Sequence, residues 1–248
     1  MSSIDLNADL GEGCGSDDEL LTLVSSASIA CGAHAGDERT MRVAIELALE
    51  REVSIGAHPG YPDRTGFGRV ETGATPDEIR TFLLAQLETF AAACRGAGAR
   101  CRHVKPHGAL YNRAMGDAAA AESIARAVAG FDPSLVILCM PGSRLHEAAD
   151  AAGLRIAREA FIDRAYASTT ALVPRSSPAA VIDDPAIAAS RAERMVLSRV
   201  MTSVDGVDHE LNAESLCVHG DNPKAVPLMR AVRSALERAG VTIAPFHG

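Results

Sequence analysis

The chain has 248 residues, with 24 lysines and arginines against 32 aspartates and glutamates, so its formal net charge at pH 7 is −8. This acidic balance argues against a nucleic-acid-binding domain, which would carry a basic stripe, and against a polybasic membrane anchor. Hydrophobic residues make up 47% and charged residues 23% of the chain. That balance is typical of a folded globular protein and not of a disordered one.

Neither the N-terminus nor any apolar run has the character of a targeting or membrane segment. The first residues lack the basic and apolar regions of a signal peptide. The longest apolar run, 135–140, is far too short to cross a bilayer. The six cysteines form no CxxC pair and no regular zinc spacing. We therefore expect a cytoplasmic protein with reduced thiols and no membrane partner.

Short apolar runs alternate with longer segments of helical periodicity along the chain. In order, the runs that predict strands are 4–8, 27–31, 53–57, 102–105, 135–139, 154–159 and 215–218, with a further apolar stretch at 241–244. A capping box from Thr75 to Glu78 predicts one helix start. Asp184-Pro185 and Asn222-Pro223 predict two more, and Gly240 is expected to end the last helix.

Strands that alternate with helices indicate parallel β/α units joined by right-handed crossovers. No glycine-, serine- or proline-rich linker divides the chain, so we expect residues 1–248 to form a single domain. Seven or eight such units in about 250 residues favour an α/β barrel. An open doubly wound sheet is the alternative.

Four of the eight histidines share one sequence context. His34, His58, His107 and His219 each lie at or just past the carboxyl end of a predicted strand, and glycine or proline follows within two residues. In a parallel α/β fold this end of the strands forms the ligand-binding face. A single histidine of this kind is most often structural, but four in separate turns indicate one functional site.

The first strand brings carboxylates to the same face. Alternation along the strand puts Asp5, Asn7 and Asp9 on one side, which is costly inside a barrel unless these groups are hydrogen-bonded or act as ligands. An edge strand with a wet face is the alternative. Glu12 follows in a glycine turn that lacks both the GxGxxG spacing and the lysine of a phosphate loop. Any use of a nucleotide therefore requires another device or another protein chain.

Two cations and a set of metal-ligand residue types complete the candidates. Lys105 ends a predicted strand, where it can stabilise an oxyanion or a substrate carboxylate, and Arg164 is the second cation. A salt bridge to a neighbouring aspartate is the alternative for the lysine. His34 and His58, with a carboxylate such as Asp9, are residue types that hold divalent metals. No G-x-S-x-G elbow supports a serine nucleophile.

These candidates lie within longer segments that match a known family. The segments are 5–12, 29–32, 34–37, 56–59, 61–64, 66–69, 104–112, 163–166, 172–175 and 217–221. Through them the chain resembles the LamB/YcsF family over nearly its whole length. Two departures flank His34, because Ser28 stands where we expect asparagine and Ala33 stands where we expect phenylalanine.

The resemblance implies a fold, an activity and partners. The fold is an irregular seven-stranded β/α barrel similar to that of polysaccharide deacetylases. The activity is the ATP-dependent opening of 5-oxo-L-proline to L-glutamate, in assembly with two partners, the B and C subunits of a 5-oxoprolinase. ATP is then a co-substrate, and because this chain has no phosphate loop its binding falls to the partners or to another device.

A lactam amide is a poor electrophile, so its hydrolysis needs activation, a base for water, a cation for the oxyanion and an acid for the nitrogen. We hypothesise that Asp9 or His58 activates water, alone or through a metal. In this scheme Lys105 stabilises the oxyanion or phosphoryl group, and His107 protonates the nitrogen. The side chains expected to bind or position the substrate are Asn7, Glu12, His34, Tyr111, Asn112, Asp163, Arg164 and His219.

Two other classes of function remain open at this point. One is a metal-dependent amide or ester hydrolase of the deacetylase type that acts alone. The other is a non-catalytic binding protein that presents a small acid to a partner. The four strand-end histidines weigh against the second class, because carboxylate capture usually relies on arginine, serine and backbone donors. The sequence leaves the presence of a metal and any homo-oligomer open.

Overall fold

Strands and helices alternate over residues 2–246, the part of the chain that the computed structural model describes. The strands are β1 (Ser3–Leu10), β2 (Ser26–Ala30), β3 (Ser54–His58), β4 (His103–Val104), β5 (Val136–Cys139), β6 (Arg155–Phe161), β7 (Tyr166–Ser168), β8 (Ala171–Leu172), β9 (Val200–Thr202), β10 (Asp208–Glu210), β11 (Ser215–His219) and β12 (Thr242–Ile243). The helices are α1 (Asp17–Leu20), α2 (Glu38–Glu50), α3 (Pro76–Gly96), α4 (Gly108–Gly116), α5 (Ala118–Phe131), α6 (Arg144–Ala151), α7 (Pro185–Glu193) and α8 (Ala225–Arg238), with one π-helical turn at Arg194–Ser198.

Seven parallel strands close into a barrel. They follow the order β1, β2, β3, β4, β5, β6 and β11, and β11 pairs with β1 to complete the ring. The strand β12 pairs only with Ser3 and Ile4 at the start of β1. The closing register sets Asp9 opposite His219. The predicted barrel is therefore confirmed, the open sheet is excluded, and all seven predicted strand runs overlap barrel strands.

The first strand divides its side chains between two environments. Its even-numbered residues, including Leu6 and Leu10, pack into the main hydrophobic core between the strands and the helices. Its odd-numbered residues Asp5, Asn7 and Asp9 are also buried, yet they are polar. Because β1 pairs with β2 on one side and with β11 on the other, it is not an edge strand. The polar face therefore lies within a closed sheet and needs internal partners.

Two of the three helix starts predicted from the sequence agree with the structure. Thr75 and Glu78 form the capping box of α3, and Asp184 caps α7. The last helix begins at Ala225 with no side-chain cap, two residues after Pro223, so the prediction placed this start too early. Gly240, with a φ of +78°, ends it as expected. Among residues 2–246 no helix is long and apolar enough to cross a membrane.

The segment between β6 and β11 contains two short antiparallel hairpins that the sequence analysis did not predict. The strands β7 and β8 form the first, and β9 and β10 form the second. Each strand has only two or three residues, too few for an alternating pattern to be recognised. The first hairpin lies directly after the end of β6 and brings Leu172 and Val173 to the mouth of the barrel.

The polar interior gives the stability of the fold a distinct pH dependence. Asp5 accepts hydrogen bonds from the hydroxyls of Ser25, Ser26 and Ser215, but burial raises its pKa from the ordinary 3.8 to about 6. Between about pH 4 and pH 6 the folded state keeps a proton that the unfolded chain has lost, so stability falls as the pH rises through this window. The loss attributable to Asp5 is on the order of 3 kcal/mol.

The substitution Asp5→Asn removes this titration and isolates its contribution. We expect the difference in unfolding free energy between the wild type and the variant to change by on the order of 3 kcal/mol from pH 4 to pH 7. Urea unfolding at half-unit pH intervals measures it. A difference that stays constant across this range would show that Asp5 titrates alike in the folded and unfolded chains.

Candidate active site

Loops that follow the barrel strands enclose a cavity of about 660 Å³ at their carboxyl ends. Eight of the twelve predicted site residues line it, namely Asp9, His58, Lys105, His107, Tyr111, Asn112, Arg164 and His219. The other four, Asn7, Glu12, His34 and Asp163, are buried and contact residues of this wall. The expectation that the strand-end histidines converge is met by the geometry.

Lys105 is the centre of a buried charge network. Its ammonium nitrogen lies 2.8 Å from Asp9 Oδ1 and 2.7 Å from Glu159 Oε1, and its side chain is 2% exposed. It also donates to Cys217 Sγ at 2.9 Å and to Asn7 Oδ1 at 3.3 Å. Burial alone would lower the pKa of Lys105, but Asp9 and the other anionic neighbours hold it well above its usual value. The lysine is therefore a permanent cation whose N–H groups already have acceptors in the protein.

Asp9 is held as a carboxylate by the same network. Burial would raise its pKa, but His58 and Lys105 keep it well below the usual range. Asp9 Oδ2 lies 3.4 Å from His58 Nε2. The carboxylate thus bridges the buried lysine and the histidine cluster. The salt bridge that was the alternative explanation for Lys105 is present, and it is part of the site.

Two histidines face each other through one ring nitrogen each. His58 Nδ1 lies 2.7 Å from the carbonyl oxygen of Lys105, and His107 Nε2 lies 2.8 Å from that of Phe67. A carbonyl oxygen only accepts, so both of these nitrogens carry hydrogen. The opposite nitrogens, His58 Nε2 and His107 Nδ1, are 3.0 Å apart. A hydrogen on one of these two nitrogens, or a metal cation bound to both, satisfies the pair.

Glu12 and His34 complete this cluster. Glu12 Oε1 lies 3.3 Å from both His34 Nε2 and His107 Nδ1, and 4.0 Å from His58 Nε2. The rings of His34 and His107 stack at 3.8 Å. Burial, followed by the charge of Asp9, raises the pKa of Glu12 well above its usual value. Without a metal, a protonated Glu12 can therefore donate a hydrogen bond to His34 or His107.

The four residues are a chemically suitable set for a divalent cation. One ligand atom from each of Glu12, His34, His58 and His107 lies within 4.8 Å of all the others. Burial lowers the pKa of His34 to about 3, and burial together with His58 lowers that of His107 well below the usual range. Both are neutral imidazoles, the form that binds metals. Two predicted metal ligands lie in this cluster, and the third, Asp9, lies directly beside it.

A carboxylate and a histidine form a second unit on the cavity wall. His219 Nδ1 lies 3.0 Å from both oxygens of Asp163, whose Oδ2 also accepts from the His219 backbone at 3.1 Å. Burial would raise the pKa of Asp163, but His219 and these hydrogen bonds lower it. Phe161 stacks on the imidazole with the ring centres 5.3 Å apart. The ring is therefore fixed with its Nδ1 edge towards Asp163, which leaves Nε2 as the nitrogen that can serve a ligand.

The remaining predicted residues take different positions. Asn7 lies beneath the cavity and donates to Glu159 at 3.1 Å and to Ser215 at 2.7 Å, so its amide serves the interior network. Tyr111 is buried on the cavity wall, and burial followed by the charge of Glu159 raises its pKa well above the usual value. Asn112 is exposed at the rim. Arg164 donates to the carbonyl oxygens of Val173 and Ala180.

Several site residues were missed by sequence reasoning. Glu159 lies within a predicted strand, and its charge in a buried run was a signal for an inward-facing group. Cys217 was noted only as a reduced thiol within a matching segment, but it contacts Lys105. Arg69, Arg175 and Asp221 were noted only within matching segments, because an isolated charged residue in a loop gives no sign of where it will point.

Fold and site together define a parallel α/β barrel protein with a histidine- and carboxylate-lined cavity at the carboxyl ends of its strands. The chain belongs to the LamB/YcsF family, whose model matches residues 4–248. It is 49% identical to the 5-oxoprolinase A subunit of Symbiobacterium thermophilum, covering 98% of this chain and 95% of that protein. It is 46% identical to the 5-oxoprolinase A subunit of Thermus thermophilus, covering 98% and 99%.

Solved structures agree with this assignment. The lactam utilization protein from Thermus thermophilus superposes with a TM-score of 0.91 at 44% identity, covering 98% of this chain and 99% of that one. The T48 deacetylase, solved with substrate, gives a TM-score of 0.51 at 14% identity, covering 98% and 87%. The second likeness concerns the fold alone, and it confirms the deacetylase-like barrel expected from the sequence.

Proposed function

We propose that this chain is the A subunit of an ATP-dependent 5-oxoprolinase, which opens the lactam of 5-oxo-L-proline to L-glutamate as ATP is cleaved to ADP and phosphate. The observation that carries the proposal is the near-full-length identity of 49% to a protein named as such a subunit. Its partners are the B and C subunits. We further propose that residues 1–248 act as one barrel domain in the cytoplasm.

ATP makes the lactam reactive in this proposal. The lactam oxygen bonds to the γ-phosphorus of ATP as the bond to ADP breaks, which leaves the ring carbon more electrophilic. Water then adds to that carbon, and the carbon–nitrogen bond breaks once the nitrogen has received a proton, which gives the acyl phosphate of glutamate. A second water hydrolyses this acyl phosphate, so that phosphate leaves and L-glutamate is formed. With no phosphate loop in this chain, the partners bind ATP, and the cavity receives the activated ring.

Asp9 is the base that we assign to the attacking water. It is ionised, it lines the cavity, and it lies 3.4 Å from His58 Nε2 at the edge of the histidine cluster. Lys105 fixes Asp9 in place and supplies a buried positive charge next to the developing oxyanion. Because its donors already have acceptors in the protein, the lysine acts through its charge and through Asp9.

His219 is the acid that we assign to the departing nitrogen. Its Nδ1 is held by Asp163, which fixes the tautomer and stabilises the imidazolium, and the residue lines the cavity. His107, the candidate from sequence reasoning, is a weaker choice for this role. Its pKa is held well below the usual range, and its Nε2 hydrogen is donated to Phe67. We therefore assign His107 to the candidate metal-binding cluster that it forms with Glu12, His34 and His58.

A divalent metal held by Glu12, His34, His58 and His107 would supply positive charge that acidifies water and polarises a carbonyl group. We expect the full-length chain, equilibrated with Zn²⁺ or Mn²⁺ and then desalted, to retain about one equivalent. The double variant His58→Gln/His107→Gln should retain none, since both lone pairs are lost. Plasma emission analysis measures the content.

The matched control is His146→Gln, a histidine on α6 outside the cluster. It should retain as much metal as the wild type. Equal retention by the double variant would refute this assignment, and so would a wild-type chain that retains none of either metal.

Reconstitution tests the proposed function. Glutamate release from 5-oxo-L-proline is measured with this chain alone and with the B and C subunits, each with and without ATP. We expect release only when all three proteins and ATP are present. No release in any combination would refute the proposal.

A second candidate is a stand-alone metal-dependent amide or ester hydrolase of the deacetylase type, which the four-residue cluster favours. Hydrolysis of an amide or ester by this chain without ATP or partners would support it. The non-catalytic alternative predicts full activity of the complex when His58→Gln and His107→Gln are combined.

A further inference from the structure

Three arginines, Arg69, Arg164 and Arg175, line the cavity. Arg69 lies in the loop after β3, and Arg164 and Arg175 lie in the segment after β6. The proposed reaction has given none of them a role at the reacting bond. The protein has a net charge of −8, but these three cations make the electrostatic potential of this cavity wall locally positive. A positive wall indicates that the ligand carries an anionic group.

Asp221, just after β11, joins two of these arginines. Arg69 Nη2 lies 2.7 Å from Asp221 Oδ2, and the guanidinium lies over the ring of Phe67, 4.9 Å from its centre. Arg175 Nη2 lies 3.8 Å from Asp221 Oδ1, which is too far for a hydrogen bond. Asp221 therefore anchors Arg69 and only orients Arg175.

Arg164 has a different part in this arrangement. Its guanidinium donates to the carbonyl oxygen of Val173 at 2.7 Å and to that of Ala180 at 3.3 Å. These bonds fasten the segment that carries Arg175 to the end of β6. The third arginine thus holds the segment in position, and Arg69 and Arg175 remain as the ligand-facing pair.

Arg175 and Asp221 have unused hydrogen-bonding capacity. Arg175 Nη2 and Asp221 Oδ1 are both buried from solvent, and neither forms a hydrogen bond with any of the described residues 2–246. A buried guanidinium N–H without an acceptor is costly. An oxyanion between the two arginines would satisfy it with charge-assisted hydrogen bonds in the planar geometry that guanidinium groups favour.

We propose that Arg69 and Arg175, held by Asp221, form a clamp for the carboxylate of the small cyclic acid that this cavity takes as substrate. The planar forks of the two guanidinium groups match the two oxygens of a carboxylate. The clamp shares the cavity with Asp9 and His219, so it holds the ring by one end and presents the amide to them.

This inference rests on the proposed function, and substrate discrimination tests it. In the reconstituted complex we expect Arg175→Gln and Arg69→Gln each to raise the KM for 5-oxo-L-proline roughly 10- to 100-fold, with kcat changed less than about threefold. For 2-pyrrolidinone, the same ring without the carboxylate, KM should be equal in wild type and variants. Arg175→Lys keeps the charge without the planar fork and should be intermediate.

Arg126→Gln is the matched control, because that arginine is exposed on α5 and pairs with Glu122 there. It should behave as the wild type. Suppose that the wild-type complex releases glutamate, but that Arg69→Gln and Arg175→Gln keep the wild-type ratio of kcat/KM for 5-oxo-L-proline over 2-pyrrolidinone. The clamp is then refuted and the proposed function stands.

If the wild-type complex releases no glutamate, the proposed function fails, and calorimetry on the full-length chain alone decides the clamp. Binding of 5-oxo-L-proline that Arg175→Gln abolishes supports it. Equal binding by the variant overturns it, and so does the absence of binding. If the chain binds inorganic phosphate more tightly than 5-oxo-L-proline, the assignment of the clamp to a carboxylate is also overturned.

Discussion

Replacing Lys105 by methionine is expected to lower the free energy of unfolding by about 3–5 kcal/mol and to abolish turnover by the complex. The substitution keeps an unbranched side chain but leaves Asp9 and Glu159, which now lie 2.8 Å and 2.7 Å from the ammonium nitrogen, without their shared cation. Two buried carboxylates would then be uncompensated. Chemical denaturation measures the stability and glutamate release measures the activity.

The double variant Lys105→Met/Glu159→Gln separates charge from packing. Removing one carboxylate should restore part of the lost stability, so the two substitutions should be coupled and not additive. The control is Arg126→Met, which breaks an exposed ion pair on α5 and should cost less than about 1 kcal/mol. A cost for Lys105→Met no larger than that of the control would contradict the buried network as described.

Replacing His219 by asparagine is expected to lower kcat about 10²–10⁴-fold with little change in KM, the usual range for a lost general acid. The imidazole is held by Asp163 at 3.0 Å and by stacking on Phe161, so the side chain is positioned for chemistry more than for binding. Asp163→Asn should also reduce kcat, because it disturbs the tautomer while leaving the ring in place.

The control for this prediction is His209→Asn, since His209 lies on the outer hairpin strand β10 and contacts Ser203. It should leave both kinetic constants unchanged. If His219→Asn raises KM and spares kcat, then His219 binds substrate, as sequence reasoning first suggested, and the acid must be sought elsewhere in the cavity.

The barrel was predictable because its signals are local. Each strand is a short apolar run, and each of the four strand-end histidines is followed by the glycine or proline that a tight turn requires. Parallel topology then brings those ends together, so the convergence of His34, His58 and His107 followed from the fold class. The period of two along β1 also placed Asp5, Asn7 and Asp9 on the inner face, where the structure has them.

The finer geometry depends on information that the sequence does not carry locally. The two hairpins are too short to leave a pattern. The turn after β1 decides how the carboxylates meet the histidines, because it brings Glu12 into the cluster while Asp9 lies between Lys105 and His58. The pairing of Arg69 with Asp221 spans most of the chain, and only the assembled loops bring these side chains together.

The proposed function requires that the lactam is opened in the cavity at the carboxyl end of this barrel. A crystal structure of the full-length chain with 5-oxo-L-proline tests this requirement. We predict that the ring occupies the cavity with its carboxylate on Arg69 and Arg175 and its amide towards Asp9 and His219. Binding of 5-oxo-L-proline outside this cavity, or an empty cavity at a saturating concentration, would contradict the proposed site.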